Sequence, residues 1–168
     1  MNEYRVVQDL WGRNVVTDYR PVAGKSASTS GKIFEGVVHK KLKKTGVGVV
    51  TQNPSFNCHY GLERKGDFLI NINDTLIHLE AKQLGDCESH FDKISHCLMN
   101  LERGCYGKNF WLVIGYNTEG KRSVIRKIDA LKRTCQKIKE EVSSDGISFE
   151  LVDIRELENF ITKYKDIQ

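Results

Sequence analysis

The sequence predicts an α/β fold, with a mixed central sheet flanked by helices. Three observations carry this expectation. Apolar residues recur at three- and four-residue spacing in four stretches, which β-like segments separate. One of those segments, Asn109 to Tyr116, is apolar almost throughout at strand length, as a strand covered on both faces should be. The resulting order, α-β-β-β-α-β-α-β-α, joins a three-strand meander through a helical crossover to a buried strand, and a mixed sheet accommodates both connections.

Taken in order, residues 1–30 read as an arm or loop leading into a single domain over 31–168. They are weakly patterned and end in the small polar run Ala23-Gly24-Lys25-Ser26-Ala27-Ser28-Thr29-Ser30-Gly31. Ser30 is placed to cap a first helix carrying Phe34, Val37, Val38 and Leu42, which Thr45-Gly46 stops. Val47 to Gln52 is the first strand, broken by Asn53-Pro54-Ser55 and continued over Phe56 to Tyr60. Asp67 to Ile72 and Thr75 to Gln83 form a hairpin about Asn73-Asp74. A second helix spans Ser89 to Arg103, where Ser89 and Asp92 have capping-box spacing and Phe91, Ile94, Leu98 and Leu101 form the stripe. After the buried strand come a basic helix over Ile125 to Val142, the alternating strand Ile147-Phe149-Leu151, and a last helix with Leu157, Phe160, Ile161 and Tyr164.

Composition narrows the class of protein. At 168 residues, 39% hydrophobic and 29% charged, the chain suits one ordinary globular domain. No apolar run approaches the roughly 20 residues that span a bilayer. The opening Met1-Asn2-Glu3-Tyr4-Arg5 lacks a signal-peptide layout, so a cytoplasmic location is expected. Five unevenly spaced cysteines without a C-x-x-C pair read as reduced thiols. The net charge of +4 permits a polyanionic partner without demanding one. The clusters Lys40-Lys41-Lys43-Lys44 and Arg122 to Lys139 read first as solvated helix faces and second as a phosphate-binding surface.

Two tempting motifs fail. Gly24-Lys25-Ser26 ends like a phosphate loop, but Tyr19 stands where the first glycine is required and no buried strand precedes it. Cys87, His90, His96, Cys97 and Cys105 lack the spacing of a structural zinc site.

The informative stretch is Gly66-Asp67-Phe68-Leu69-Ile70 with Leu79-Glu80-Ala81-Lys82-Gln83. Strand side chains alternate, so Glu80 and Lys82 share a face while Leu79 and Ala81 take the other. A carboxylate and an ammonium on an otherwise apolar strand are costly unless paired or bound. Asp67, at the start of the neighbouring strand, adds a second carboxylate. Two close carboxylates repel, and a hard divalent cation relieves the repulsion. This is the chemistry of phosphodiester hydrolysis. His78, on the Glu80 face, reads first as a satisfied or exposed histidine and second as an accessory that touches substrate phosphate.

These residues resemble the PD-(D/E)XK nuclease superfamily, which includes type II restriction endonucleases. Asp67 stands where the family has its aspartate, Gly66 where it often has proline, and Glu80-Ala81-Lys82 matches the (Asp/Glu)-x-Lys half. Glu35 on the first helix is the counterpart of the family's helical glutamate, and Gln83 matches a frequent neighbour of the lysine. The resemblance covers about residues 31–116. It implies a restriction-endonuclease-like αβββαβ core and Mg²⁺, with Mn²⁺ able to substitute. Asp67 and Glu80 would be metal ligands, Lys82 the catalytic lysine and Glu35 an assistant. The implied partner is double-stranded DNA cut by a homodimer, with Arg13, Arg20, Lys25 and Lys32 as contacts. Alternatives are a structure-selective nuclease, such as a Holliday-junction resolvase or repair enzyme, and a non-catalytic nucleic-acid-binding module.

Overall fold

The computed structural model describes residues 5–8, 14–17, 26–85, 88–116 and 122–167. Their elements run β1 (Arg5–Gln8), β2 (Asn14–Thr17), α1 (Ser26–Lys44), β3 (Gly48–Gln52), β4 (Ser55–Asn57), β5 (Glu63–Lys65), β6 (Phe68–Ile72) and β7 (Thr75–Leu84). Then follow α2 (Glu88–Glu102), β8 (Asn109–Tyr116), α3 (Arg122–Ser143), β9 (Ser148–Asp153) and α4 (Leu157–Ile167).

Five strands form the central sheet in the order β3-β6-β7-β8-β9. β3, β6 and β7 are antiparallel neighbours, whereas β7-β8 and β8-β9 are parallel, so the sheet is mixed. The β6-β7 connection is a two-residue hairpin. Asn73 and Asp74 both take positive φ, 48° and 63°, which the tight primed turns require and which these two residue types tolerate.

The sheet is covered on both sides, and alternation along β8 shows how. Phe110, Leu112 and Ile114 pack with Ile94, Leu98 and Leu101 of α2 and Ile128, Leu131 and Cys135 of α3. Trp111 and Val113 face the other way, onto Phe34, Val38 and Leu42 of α1 and Leu157 and Ile161 of α4. The α1 stripe therefore does what its spacing predicts, and its end is as expected. Gly46 lies at φ +71° beyond Lys44, and Val47 N–H reaches back to Leu42 O at 3.2 Å, a left-handed helix stop that favours glycine. Among the described residues no helix is long and apolar enough to cross a membrane.

Several boundaries depart from the expectations. The first helix opens at Ser26, not after Ser30, because a turn of small residues without a large apolar side chain still propagates from a helix whose later turns are packed. α2 opens at Glu88, which puts Ser89 inside the helix rather than at its cap, and α3 begins at Arg122. Residues 1–30 hold more than an arm: β1 and β2 pair antiparallel, with Val6 opposite Val16 and Val7 opposite Val15 in the register. Phe56 does not continue β3. Asn53 takes a positive φ of 55°, the chain breaks, and Phe56 enters β4, which pairs with the unforeseen β5 in a separate hairpin. The meander is thus β3-β6-β7 with that hairpin inserted. β5, Glu63-Arg64-Lys65, is exposed and wholly charged, so it carries no periodic signal. Cys58, Cys97 and Cys135 are buried free thiols and Cys105 is half-buried; Cys87 lies outside the described residues.

Candidate active site

The β6-β7 register places the acidic residues. Phe68 pairs with Leu79, so Asp67, one residue before β6, stands opposite Glu80. The backbone around Asp67 is held by Asn53 N–H donating to Asp67 O at 3.0 Å and Gly66 N–H to Pro54 O at 2.8 Å. Because β6 begins only at Phe68, the β7 amides beyond Leu79 need other partners. Ala81 N–H donates to Asp67 Oδ2 at 2.7 Å, and Asp67 N–H donates to Glu80 Oε1 at 3.3 Å. Side chains thus finish a ladder that the backbone leaves open.

Lys82 ties the two acids together. Its Nζ donates to Asp67 Oδ2 at 2.9 Å and to Glu80 Oε2 at 2.8 Å. All three side chains are largely buried, at 14% exposure for Asp67, 6% for Glu80 and 20% for Lys82. Glu80 and Lys82 share the β7 face that looks toward α2, as alternation requires, with Leu84 on the same face in that core.

The charges do not balance. Burial raises the Asp67 pKa, and the Glu80 charge raises it further, against the opposing pull of Lys82. Burial also raises Glu35, helped by the Asp67 charge. For Glu80 burial acts in the same sense, but hydrogen bonds from His78 and Lys82 and the lysine charge outweigh it, leaving this carboxyl below its ordinary value. Burial would strip the charge from Lys82, yet Glu80 and Asp67 prevail and keep the ammonium firmly protonated. Three acids therefore stand against the buried Lys82 and the exposed Lys32 at the rim, and full ionisation leaves one negative charge unmatched.

Of Asp67, Glu80 and Lys82, Asp67 alone opens on a groove of about 180 Å³, lined also by Lys32, Glu35, Gly36, His39, Gln52, Asn53 and Phe68. Glu35 reaches the site from α1, and Lys32 stands exposed at its rim. His39 stacks on Phe68 with centroids 5.9 Å apart, and Gln52 Nε2 lies 3.2 Å from His39 Nδ1. These two wall residues escaped the sequence reading. The spacing Lys32, Glu35, Gly36 and His39 is one helix face, a signal that could have found His39. Gln52 is brought there by the fold alone. Larger cavities beside α3, about 380 and 390 Å³, share no residue with this groove.

The other expected residues are dispersed. Gln83 lies on the opposite face of β7 by alternation and takes no part in these bonds. His78 is 5% exposed with Nε2 3.3 Å from Glu80 Oε1, which matches the first of its two readings, a satisfied histidine, and its burial sets it apart from the groove. Arg13, Arg20 and Lys25 lie outside the described residues. Of the cysteine–histidine cluster, His90 accepts from Gly85 N–H at 3.0 Å, while burial pushes the Cys97 thiol up to about 12. Among the described residues no three His, Cys, Asp or Glu side chains converge as a metal cage. The donor set is one of hard carboxylate oxygens: Asp67 and Glu35 line the groove, and the buried Glu80 stands opposite Asp67 on the next strand. That set fits Mg²⁺, which takes one or two protein carboxylates and fills its shell with water and phosphate oxygens; it does not fit structural zinc.

No family model matches the chain, and no curated protein matches its sequence. Two solved structures align with it. SfsA of Pyrococcus furiosus, solved in complex with Ca²⁺, aligns at TM-score 0.39 with 19% identity over 75% of this chain and 57% of that one. The protein of unknown function AF1548 aligns at TM-score 0.35 with 14% identity over 70% of this chain and 56% of that one. The chain therefore spans little more than half the length of either structure.

Proposed function

We propose that this chain is a Mg²⁺-dependent endonuclease of the PD-(D/E)XK kind, hydrolysing phosphodiester bonds of double-stranded DNA in the manner of a type II restriction enzyme. One observation carries the reading: two carboxylates from adjacent strands share one buried ammonium beside an open groove with a third acid in its wall. A structural ion pair has no need of the extra acids, and their mutual repulsion is a cost that folding alone does not repay.

Asp67 and Glu80 would hold the cation, which supplies charge neutralisation on the phosphate and an acidified water as nucleophile. The chain's own groups do the rest. Lys82, fixed by two hydrogen bonds, presents a permanent positive charge to the oxygens on which negative charge grows. Glu35 orients water in the groove, and Lys32 at the rim contacts the substrate backbone. A single site reaches one strand, so cleavage of both strands calls for a homodimer. These properties suit a cytoplasmic enzyme.

The test is conversion of supercoiled plasmid in the presence of Mg²⁺. Wild type should produce nicked and linear DNA, and Asp67→Ala should reduce the rate at least a thousandfold, a loss of about 4 kcal/mol of transition-state stabilisation. Equal rates in the two proteins, or no cleavage by wild type with any divalent cation, would overturn the proposal.

A further inference from the structure

We infer that His78 is a positioning residue that sets the orientation of the Glu80 carboxylate; the inference deepens the nuclease reading and rests on it for its catalytic meaning. The geometry begins with the ring itself. His78 Nε2 lies 3.3 Å from Glu80 Oε1. An ionised carboxylate only accepts hydrogen bonds, so Nε2 carries the proton and donates it. Oε1 also accepts the Asp67 amide at 3.3 Å, while Oε2 accepts Lys82 Nζ at 2.8 Å. The two oxygens are therefore held by different donors. Without the imidazole, Oε1 would keep only the long Asp67 amide bond, and the terminal torsion of Glu80, a broad and soft one, would be held chiefly from the Lys82 side.

The ring cannot turn away. Phe56 of β4 meets it edge-on at 5.3 Å, Tyr106 packs against it at 4.6 Å, and Phe110 of β8 closes another side at 6.2 Å. Gly66 completes the enclosure from the chain segment leading into Asp67. A Cβ at that position would stand 2.2 Å from His78 Nε2 and 2.7 Å from Glu80 Oε1, so the close approach of the backbone depends on glycine. The enclosure also gives the inserted β4-β5 hairpin a role: through Phe56 it braces the histidine that braces the acid.

Two variants separate hydrogen bonding from packing. His78→Leu keeps an apolar filling and removes the donor, whereas His78→Gln returns an N–H near the Nε2 position. In the metal-free protein, ¹⁵N NMR should find His78 in the Nε2–H form. The Asp67 amide, which shares Oε1, should shift in His78→Leu and move back toward wild type in His78→Gln. Both variants lose the ring current, so their difference reports the hydrogen bond. Calorimetric titration with Mn²⁺ should then show at least tenfold weaker binding for His78→Leu and at most threefold weaker binding for His78→Gln. The cleavage rate should follow the same order, with melting temperatures of the two variants alike.

An Nδ1–H tautomer, or an Asp67 amide that responds identically in the two variants, would overturn the positioning role whatever the protein's activity. Wild-type affinity for Mn²⁺ in His78→Leu would overturn it as well. The expected NMR result with a wild type that neither binds Mn²⁺ nor cleaves DNA would leave His78 positioning Glu80 and would defeat the nuclease reading instead.

Discussion

Lys82→Met is expected to lower stability by about 3 kcal/mol near pH 8 and to abolish cleavage. Methionine keeps the length and packing of the stem but leaves Asp67 Oδ2 and Glu80 Oε2 without their shared donor. Removing one partner from a buried ionic group costs roughly 3–5 kcal/mol, because the remaining charge is uncompensated. The partial exposure of Asp67, 14%, argues for the lower end. The pH dependence follows from the direction of the shift. Burial and the Glu80 charge already raise the folded-state pKa of Asp67, and loss of Lys82 must raise it further. A carboxyl whose folded pKa exceeds its unfolded one binds more protons when folded, so stability falls as pH rises between the two values. The variant should thus be closer to wild type at pH 5 than at pH 8. Denaturant melts at the two pH values check this, and an equal deficit at both would contradict it.

Trp111→Ala should be as damaging to the fold, yet far milder than Lys82→Met in its effect on the chemistry of each folded molecule. Trp111 is 1% exposed at the centre of the sheet, and its indole meets Phe160 at 4.9 Å and Tyr164 at 5.1 Å, both edge-to-face. Deleting such a side chain costs about 3–5 kcal/mol through lost transfer energy and the cavity left behind. For a domain of this size that corresponds to a fall of roughly 10 °C in melting temperature. Trp111 shares its core with α1 and Phe68, which wall the groove, but its ring contacts are with Phe160 and Tyr164 rather than with Asp67, Glu80 or Lys82. Specific activity well below the melting transition should therefore fall by less than about tenfold, against the abolition expected for Lys82→Met. A thermal melt followed by circular dichroism measures the first part; a loss under 1 kcal/mol would contradict the packing described.

How much of this was legible depended on whether a residue's role is local. The Asn109–Tyr116 strand was readable because a doubly covered strand must be apolar on both faces. The Asn73-Asp74 turn announced itself through residues that tolerate positive φ. The common face of Glu80 and Lys82 follows from alternation alone, and the short hairpin carried Asp67 opposite Glu80. What stayed hidden was decided by distant partners. Alternation placed His78 on the Glu80 face, but nothing near it in the chain shows that Phe56, Tyr106 and Phe110 enclose it, so which partner satisfies it could not be read. Gln52 joins His39 only because β3 packs beside α1. The Val6-Val7 and Val15-Val16 pairs were a short signal inside a polar stretch, and β5 offered none.

The claim on which the rest depends is that Asp67 and Glu80 form a site whose unmatched charge a divalent cation satisfies. Melting temperature measured against Mg²⁺ concentration, for wild type and for Asp67→Asn/Glu80→Gln, tests it directly. Binding to the folded state alone adds about 1.4 kcal/mol of stability at ten times the dissociation constant. Wild type should gain stability along such a curve, and the double variant, with neutral amides in place of both acids, should not respond. An identical response in the two proteins, or none in wild type, would contradict the account.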